Sequence, residues 1–414
     1  MTLIKTSILS AIAQVLKIIS GFVITKVIAV YAGPSGMAMI AQLQNFINII
    51  LIFAGDFLKT ATTKYTAEYL DNDEKKFQLW SLSIKVIIIL NILVFIFLFF
   101  YSNEISNYLL KSEDYGFVLK IFAFTLPLFI LNTILLSILN GHKEIKKYIV
   151  INILLSLISL ILVGILSINF GINGALVAYV TNQSVIFFIT IIFVRNENWF
   201  KIKNFFFDIN KDDIKKLFGF AMITLVAILS SNLSLIIIRD FITTNISIDA
   251  AGYWQGIWTL SQVSLGLITT SLSIYFLPTL SAIKVKSDIS KELKSAIRVI
   301  LPVAVLISFS IYILKDFIIL VLYTEEFNPM KELFLWQMIG NVIKVTGWLF
   351  GYVLVSRAMI KYTVSTEIIF ATIFVLLSIY LVNIYGLIGV TYSYTINNIL
   401  HFFTMYYIYK YKIN

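Results

Sequence analysis

Lys17 and Lys344 each stand inside a long apolar stretch, Leu3 to Ala32 and Phe334 to Val355. A lysine at the depth of a membrane span costs roughly 3 kcal/mol on insertion scales. Cations placed there more than once point to a negatively charged group met inside the bilayer. Polar residues run beside them at helical spacing. Gln14 and Lys17 share a stripe with Ser10, Gly21 and Thr25. Gln337, Asn341, Lys344 and Trp348 fall at i, i+4, i+7 and i+11. A third stripe holds Gln255, Thr259, Gln262, Gly266 and Thr269, and a fourth Thr224, Ser231 and Ser234. A fifth holds Gln44 and Asn48, with Asp56 and Lys59 lower on the same helix. Such amides and hydroxyls bind hydroxyl-rich ligands, and flat rings such as Trp258 and Trp348 can stack on sugars. The same neutral groups also serve as glue between membrane helices.

Other ionisable groups carry less weight. Lys26 is nine residues from Lys17, about half a turn away around a straight helix. It shares a cavity with Lys17 only if the helix bends. Lys59 has Asp56 at i−3, and Arg239 has Asp240 beside it. Lys85 and Arg298 lie close enough to span ends to snorkel. Glu367 reads as a proton carrier or as the partner of Lys361. Tyr253 and Trp254, at the start of their span, read as an interfacial aromatic belt.

The elements that position these residues are membrane helices. The chain has 414 residues, of which 59% are hydrophobic and 13% charged. A soluble domain of this length could not cover that composition with polar surface. The apolar runs are continuous rather than alternating, which argues for helices and against a barrel. Twelve spans are predicted, at 3–31, 37–63, 80–101, 117–140, 148–168, 172–194, 217–239, 251–279, 293–314, 332–356, 362–382 and 387–409. Cations concentrate in the even loops. Lys64, Lys75 and Lys76 follow span 2, and Lys143, Lys146 and Lys147 follow span 4. The 6–7 loop holds Arg195, Lys201, Lys203, Lys211, Lys215 and Lys216, and the 8–9 loop Lys284, Lys286, Lys291 and Lys294. The positive-inside rule then places both termini in the cytoplasm. The net charge of +10 is thus topological and does not indicate nucleic acid. The first run is too long for a signal peptide and lacks a small-residue cleavage site, so it reads as a retained span.

The chain repeats itself at one offset. Gly171, Gly174, Tyr179, Asn182, Phe187 and Phe188 match Gly386, Gly389, Tyr394, Asn397, Phe402 and Phe403, each 215 residues later. Short external segments, Ile105–Leu110 and Phe317–Leu322, follow spans 3 and 9. The expected organisation is a six-helix lobe over 1–194, a cytoplasmic linker over 195–216 that includes Asn204, Asp208 and Asn210, and a second lobe over 217–414. Six spans per lobe make a parallel repeat, with substrate between the halves. Pro278 and Pro302 permit bends.

Absences narrow the chemistry. The sequence has no cysteine, and its two histidines, His142 and His401, have no zinc spacing. No Walker or glycine-rich nucleotide motif is present, so ATP is not the direct energy source. No large external loop offers the catalytic groups of a polysaccharide polymerase or ligase. No cofactor is expected.

Particular strings carry a resemblance. Thr63-Lys-Tyr-Thr-Ala-Glu-Tyr69 follows span 2, Tyr253-Trp-Gln-Gly-Ile-Trp258 opens span 8, and Ser273-Ile-Tyr-Phe-Leu-Pro-Thr-Leu-Ser281 closes it. Leu333-Phe-Leu-Trp-Gln337 and the run from Lys344 to Gly351-Tyr352 occupy span 10. Together they resemble the Wzx-type flippases of the multidrug/oligosaccharidyl-lipid/polysaccharide exporter superfamily, which serve enterobacterial common antigen and O-antigen. The resemblance implies an all-α, MATE-like fold of two lobes around a central cavity. It implies an inner-membrane transporter, not an enzyme, whose substrate is a polyprenyl-diphosphate-linked oligosaccharide. Envelope polysaccharide polymerases and chain-length regulators would be partners. On that reading the diphosphate meets Lys17 and Lys344, with Lys26, Lys59 and Arg239 as relay sites. The sugars meet Gln14, Gln255, Trp258, Gln262, Asn341 and Trp348. Asp56 and Glu367 are left for ion coupling, Asp56 being a departure from the small or neutral residues expected there. A drug/cation antiporter of the same superfamily is the alternative, though it would favour an acidic interior.

Overall fold

The computed structural model describes the backbone of residues 3–207, 211–283 and 285–412. The side chains of residues 3–8, 10, 11, 211–223, 271, 274 and 286 lie outside the description. Asp208, Asn210 and Lys284 therefore fall outside the described residues, as do the side chains of Ser10, Lys211, Lys215, Lys216 and Lys286. Every regular element among the described residues is helical.

The first helices are α1 (Leu3–Tyr31), α2 (Gly33–Leu51) and α3 (Leu58–Glu68). They are followed by α4 (Asp73–Phe100), α5 (Ser102–Leu110), α6 (Gly116–Gly141) and α7 (Ile145–Val194). Next come α8 (Lys211–Asn245), α9 (Ile248–Ser271), α10 (Leu277–Ala282) and α11 (Lys286–Ile313). The chain closes with α12 (Lys315–Leu322), α13 (Phe334–Ser356), α14 (Ile360–Tyr385) and α15 (Gly389–Lys412).

Nine helical segments among the described residues are long and apolar enough to cross a membrane. Two are double length. Ile145–Val194 has 50 residues, about 75 Å of helix against a hydrocarbon core of about 30 Å. It breaks at Gly171 (φ 54°, ψ −134°). Ile360–Lys412 breaks at Gly386 (φ 66°, ψ −151°). Each is thus two crossings. The 24 residues of α9 are also long enough, and there the Gln255–Thr259–Gln262 stripe replaces lipid-like residues. Among the described residues the segments of crossing length then number twelve, the number of spans that the sequence predicts for a multi-pass membrane protein.

The two breaks are the same device 215 residues apart. Both glycines hold a positive φ that residues with a Cβ avoid. Three residues on, a Cβ on Gly174 would strike the carbonyl of Leu166, and one on Gly389 that of Leu381. These partners are again 215 residues apart, so each hairpin closes by backbone contact that only glycine allows.

Two predicted spans are not continuous helices. The second is interrupted by a π-turn at Ile52–Asp56, with Gly55 at φ 116°. The eighth is interrupted by a π-turn at Leu272–Phe276, after which Pro278 stands in the first turn of α10. Proline is tolerated there because the first turn has no intrahelical partner for its missing N–H. Asn91 holds the first break, its Nδ2 donating to the carbonyl of Ala54 at 2.8 Å.

The chain forms two compact units. The first comprises Met1–Ala32 and Met39–Asn232. In it α7 packs on α6 and α1, and α6 on α3 and α4. Lipid supplies no hydrophobic drive between helices, so close packing and polar contacts hold them. Thr190 Oγ1 donates to Asn132 Oδ1 at 2.6 Å, Asn132 Nδ2 to Gln183 Oε1 at 3.1 Å, and Ser184 Oγ to the Thr125 carbonyl at 2.7 Å. At the end of α6, the His142 ring stacks on Trp199 at 5.4 Å and meets Trp80 edge-on. The loop after Trp199 is pinned back by Phe207 N–H donating to Ser81 Oγ at 2.7 Å and by Lys85 donating to the Phe207 carbonyl.

The second unit comprises Gly33–Ala38 and Leu233–Asn414. In it α13 packs on α15 and α11, and α14 on α15. Its apolar centre gathers Leu272, Leu280, Ile289, Val345, Leu349 and Met405.

Candidate substrate-binding site

Lys344 reaches from the middle of α13 into a box of aromatic rings. Its ammonium lies 5.8 Å from the centre of Trp258 on α9, 5.3 Å from Trp348 one turn along α13, and 5.3 Å from Tyr394 on α15. Lys344 makes no hydrogen bond and no ion pair among the described residues. Ring quadrupoles therefore carry its charge, at about 0.5–2 kcal/mol per contact depending on desolvation. A π face attracts the charge but does not use up the N–H donors as an oxygen would. The ammonium thus keeps its donors for an anion.

The box is locked from behind. Tyr394 donates its hydroxyl to Asn341 Oδ1 at 2.9 Å, and Asn341 Nδ2 donates to Ser261 Oγ at 3.1 Å. Trp258 stacks on Phe374 of α14 at 15° and meets Tyr394 edge-on at 5.6 Å. Glu367 and His401 both interact electrostatically with Lys344.

Arg239 on α8 forms a second cationic centre in the same unit. It is only 2% exposed. Its Nη2 donates to Gln255 Oε1 at 2.6 Å, and its guanidinium lies 5.3 Å from the Trp254 ring centre. Gln255 continues the chain of bonds through Nε2 to Thr259 Oγ1 at 3.2 Å. Gln262, two turns from Gln255, is exposed.

The remaining predicted residues belong to the first unit. Lys59 Nζ pairs with Asp56 Oδ2 at 2.7 Å, the carboxylate mostly buried and the ammonium half exposed. Asp56 is presented by the π-turn that ends on it. On α1, Lys17 is exposed, while Gln14 and Lys26 are half-buried. The structure thus gathers Lys344, Trp258, Trp348 and Asn341, joins Arg239 to Gln255, and joins Lys59 to Asp56.

Two sequence expectations are corrected. Trp254 is not an interfacial belt residue: it is fully buried and packs on Arg239 and Trp258. Glu367 does not pair with Lys361, because six residues place the two about 120° apart around the helix. Its electrostatic partner is Lys344. The sequence reading also passed over Tyr394 as a site residue. The signal available was its place in the 215-residue repeat, opposite Tyr179.

Known proteins agree with this architecture. The chain is 26% identical over 407 residues to the lipid III flippase of Escherichia coli strain K12, a match covering 97% of each chain. It matches the lipid III flippase of Shigella flexneri to the same extent. Its fold is similar to an inward-facing MATE family multidrug resistance transporter of the MOP superfamily, with TM-score 0.81 at 12% identity over 96% of this chain and 94% of that one. It is also similar to the lipid II flippase MurJ in an inward closed conformation, with TM-score 0.75 at 16% identity over 99% and 88%. The chain belongs to the family described as polysaccharide biosynthesis protein, whose profile matches residues 3–284, and to the lipid II flippase MurJ family, whose profile matches residues 183–413.

Proposed function

We propose that this chain is a flippase for lipid-linked oligosaccharides. It moves a polyprenyl-diphosphate-linked repeat unit from the cytoplasmic to the periplasmic leaflet of the bacterial inner membrane. Both termini are cytoplasmic, as the distribution of lysine and arginine among the loops supports. Transport proceeds by alternating access, and the polyprenyl tail stays in lipid.

The observation that carries this reading is the ammonium of Lys344 among three rings and a bonded amide. A diphosphate entering a low-dielectric slab must replace its hydration, and a cation with its donors intact offsets that cost. The rings and amides beside it suit the sugar that follows. Lys17, Lys26, Lys59 and Arg239 supply further positive charge along the path. Asp56 and Glu367, each within the field of a lysine, are the groups for ion coupling. The chain performs no covalent chemistry. An envelope polysaccharide polymerase and its chain-length regulator take the product.

The fold is shared with multidrug transporters, so the test has to separate the two cargos. Deletion of the gene should make a lipid-linked sugar accumulate on the cytoplasmic face and should deplete surface glycan. An unchanged pool of lipid-linked sugars, together with new sensitivity to cationic drugs, would instead establish a drug antiporter.

A further inference from the structure

α9 and α13 run side by side in the second unit and keep one register. Asn341 on α13 bonds to Ser261 on α9, 80 residues earlier. Farther along, Tyr352 Oη is hydrogen-bonded to Ser273 Oγ at 3.0 Å, 79 residues earlier. Ser261 to Ser273 is twelve residues, and Asn341 to Tyr352 is eleven. The surplus residue is taken up by the π-turn at Leu272–Phe276, whose i→i+5 bonding holds one more residue per turn. Leu272 and Phe276 are buried in the apolar centre of the unit, whereas Ser273 is exposed. The turn thus sets Ser273 against Tyr352. Single π-turns of this kind are frequent at functional sites.

Between the Lys344 box and this pair, α9 presents an open polar face. Gln262, Gly266, Thr270 and Ser273 fall on it at i, i+4, i+8 and i+11. Gln262, Thr270 and Ser273 are exposed, and a Cβ on Gly266 would meet nothing within 4 Å. The Gln262 amide makes no hydrogen bond among the described residues. Lipid offers such groups no partner, so this face meets water. Trp348 and Tyr352 stand one turn apart on α13, the first against Lys344 and the second against Ser273.

Tyr352 is not placed as an interfacial tyrosine. A belt tyrosine turns its hydroxyl to the headgroups, whereas that of Tyr352 is held by Ser273, with the ring edge-on to Phe276 at 6.4 Å. Whichever hydroxyl of the pair donates, the other keeps its hydrogen for a ligand. A half-buried ring with a fixed hydroxyl suits the C–H face and the hydroxyls of a sugar. Eight residues separate Lys344 from Tyr352, about 12 Å along the helix. One pyranose ring on a diphosphate held at Lys344 does not span that distance, and an extended oligosaccharide does.

We propose that Ser273 and Tyr352 form a subsite for a sugar remote from the diphosphate, through which the protein selects lipid-linked glycans by length. The proposal rests on the flippase reading, which supplies the diphosphate at Lys344. A carrier with a single sugar leaves the pair unoccupied and is held more weakly than one with a full repeat unit.

The test is flipping by the whole protein in proteoliposomes, read as protection of lipid-linked sugar from added periodate. One probe is polyprenyl-diphosphate-N-acetylglucosamine, and the other is polyprenyl-diphosphate-chitotriose. At subsaturating lipid the native protein should move the trisaccharide about tenfold faster, the scale of one good contact. Tyr352→Leu should abolish that preference by slowing the trisaccharide, and Tyr352→Phe, which keeps the ring, should retain part of it. Gly266→Leu should abolish it as well, because the new side chain fills the open face between the box and the pair. The space around that Cβ and the gain in helix propensity keep this variant folded if Tyr352→Leu does not fold. Lys344→Ala should lose transport of both probes. Equal transport of the two probes by the native protein, or an undiminished preference in Tyr352→Leu and Gly266→Leu, would overturn the length selection and leave the flippase reading untouched. Transport of neither probe by the native protein would overturn the flippase reading, and the subsite with it.

Discussion

The ammonium of Lys344 lies 5.3 Å from the centre of the Tyr394 ring, and the hydroxyl of that ring is bonded to Asn341, three residues before Lys344 on the same helix. One tyrosine thus holds the lysine by its face and the helix by its edge. The two contacts can be separated by substitution.

Replacing the charge tests the lysine. Lys344→Ala should cut glycan delivery to the surface of a deletion strain about ten- to a hundredfold, the scale of a lost contact to a charged group at about 1.5–3 kcal/mol. Lys344→Arg should retain more, although its forked geometry is an imperfect substitute. Lys344→Glu should be worst. Delivery is normalised to folded protein in the membrane. Equal delivery by all three variants would make the lysine structural.

Replacing the tyrosine tests the lock. Tyr394→Phe keeps the ring and loses the hydroxyl, so stability should fall by about 1 kcal/mol while transport persists. Tyr394→Leu removes both contacts and should impair transport as well. Thermal melting in detergent, beside the delivery assay, distinguishes them. Identical transport by Phe and Leu variants would deny the ring any part in holding Lys344.

The hairpin glycines give a pair of matched tests. Gly171→Ala and Gly386→Ala force a Cβ into positive φ and should each cost roughly 1–3 kcal/mol. Gly164→Ala, on the same helix with open space around its Cβ, should be neutral or stabilise by up to about 1 kcal/mol. Melting temperatures that do not separate Gly171→Ala from Gly164→Ala would contradict the backbone argument.

His142 makes the pinned loop sensitive to acid. Burial first, and then the charge of Lys76, push its pKa down from 6.5 to about 4, against the opposing pull of Asp73 and Glu197. Between those values the unfolded chain binds a proton that the folded one does not. The stabilisation is complete above pH 6.5 and is lost as pH falls towards 4. Melting temperature should therefore drop across this window. His142→Phe, which keeps a ring against Trp199, should flatten that part of the profile. An equally steep decline in the variant would assign the acid sensitivity to other groups.

The spans and the repeat were legible because apolar runs and glycine spacing are local signals. Gly171 and Gly386 could be matched by eye, and they prove to share one backbone conformation. The breaks at Ile52–Asp56 and Leu272–Phe276 were not legible, since a π-turn leaves hydropathy unchanged. Lys344 stood out because charge is rare in a span, but Tyr394 did not, because it meets Lys344 only when α13 packs on α15. Trp254 was misplaced for the same reason.

The aromatic box also gives the molecule an optical reporter. Two of the six tryptophans of the chain, Trp258 and Trp348, have the Lys344 ammonium within 6 Å of their ring centres. A ligand that draws the ammonium away changes the field at both indoles at once, and their emission shifts with it. With the other four tryptophans replaced by phenylalanine, occupancy of the box becomes readable from fluorescence alone, on unlabelled protein and in real time.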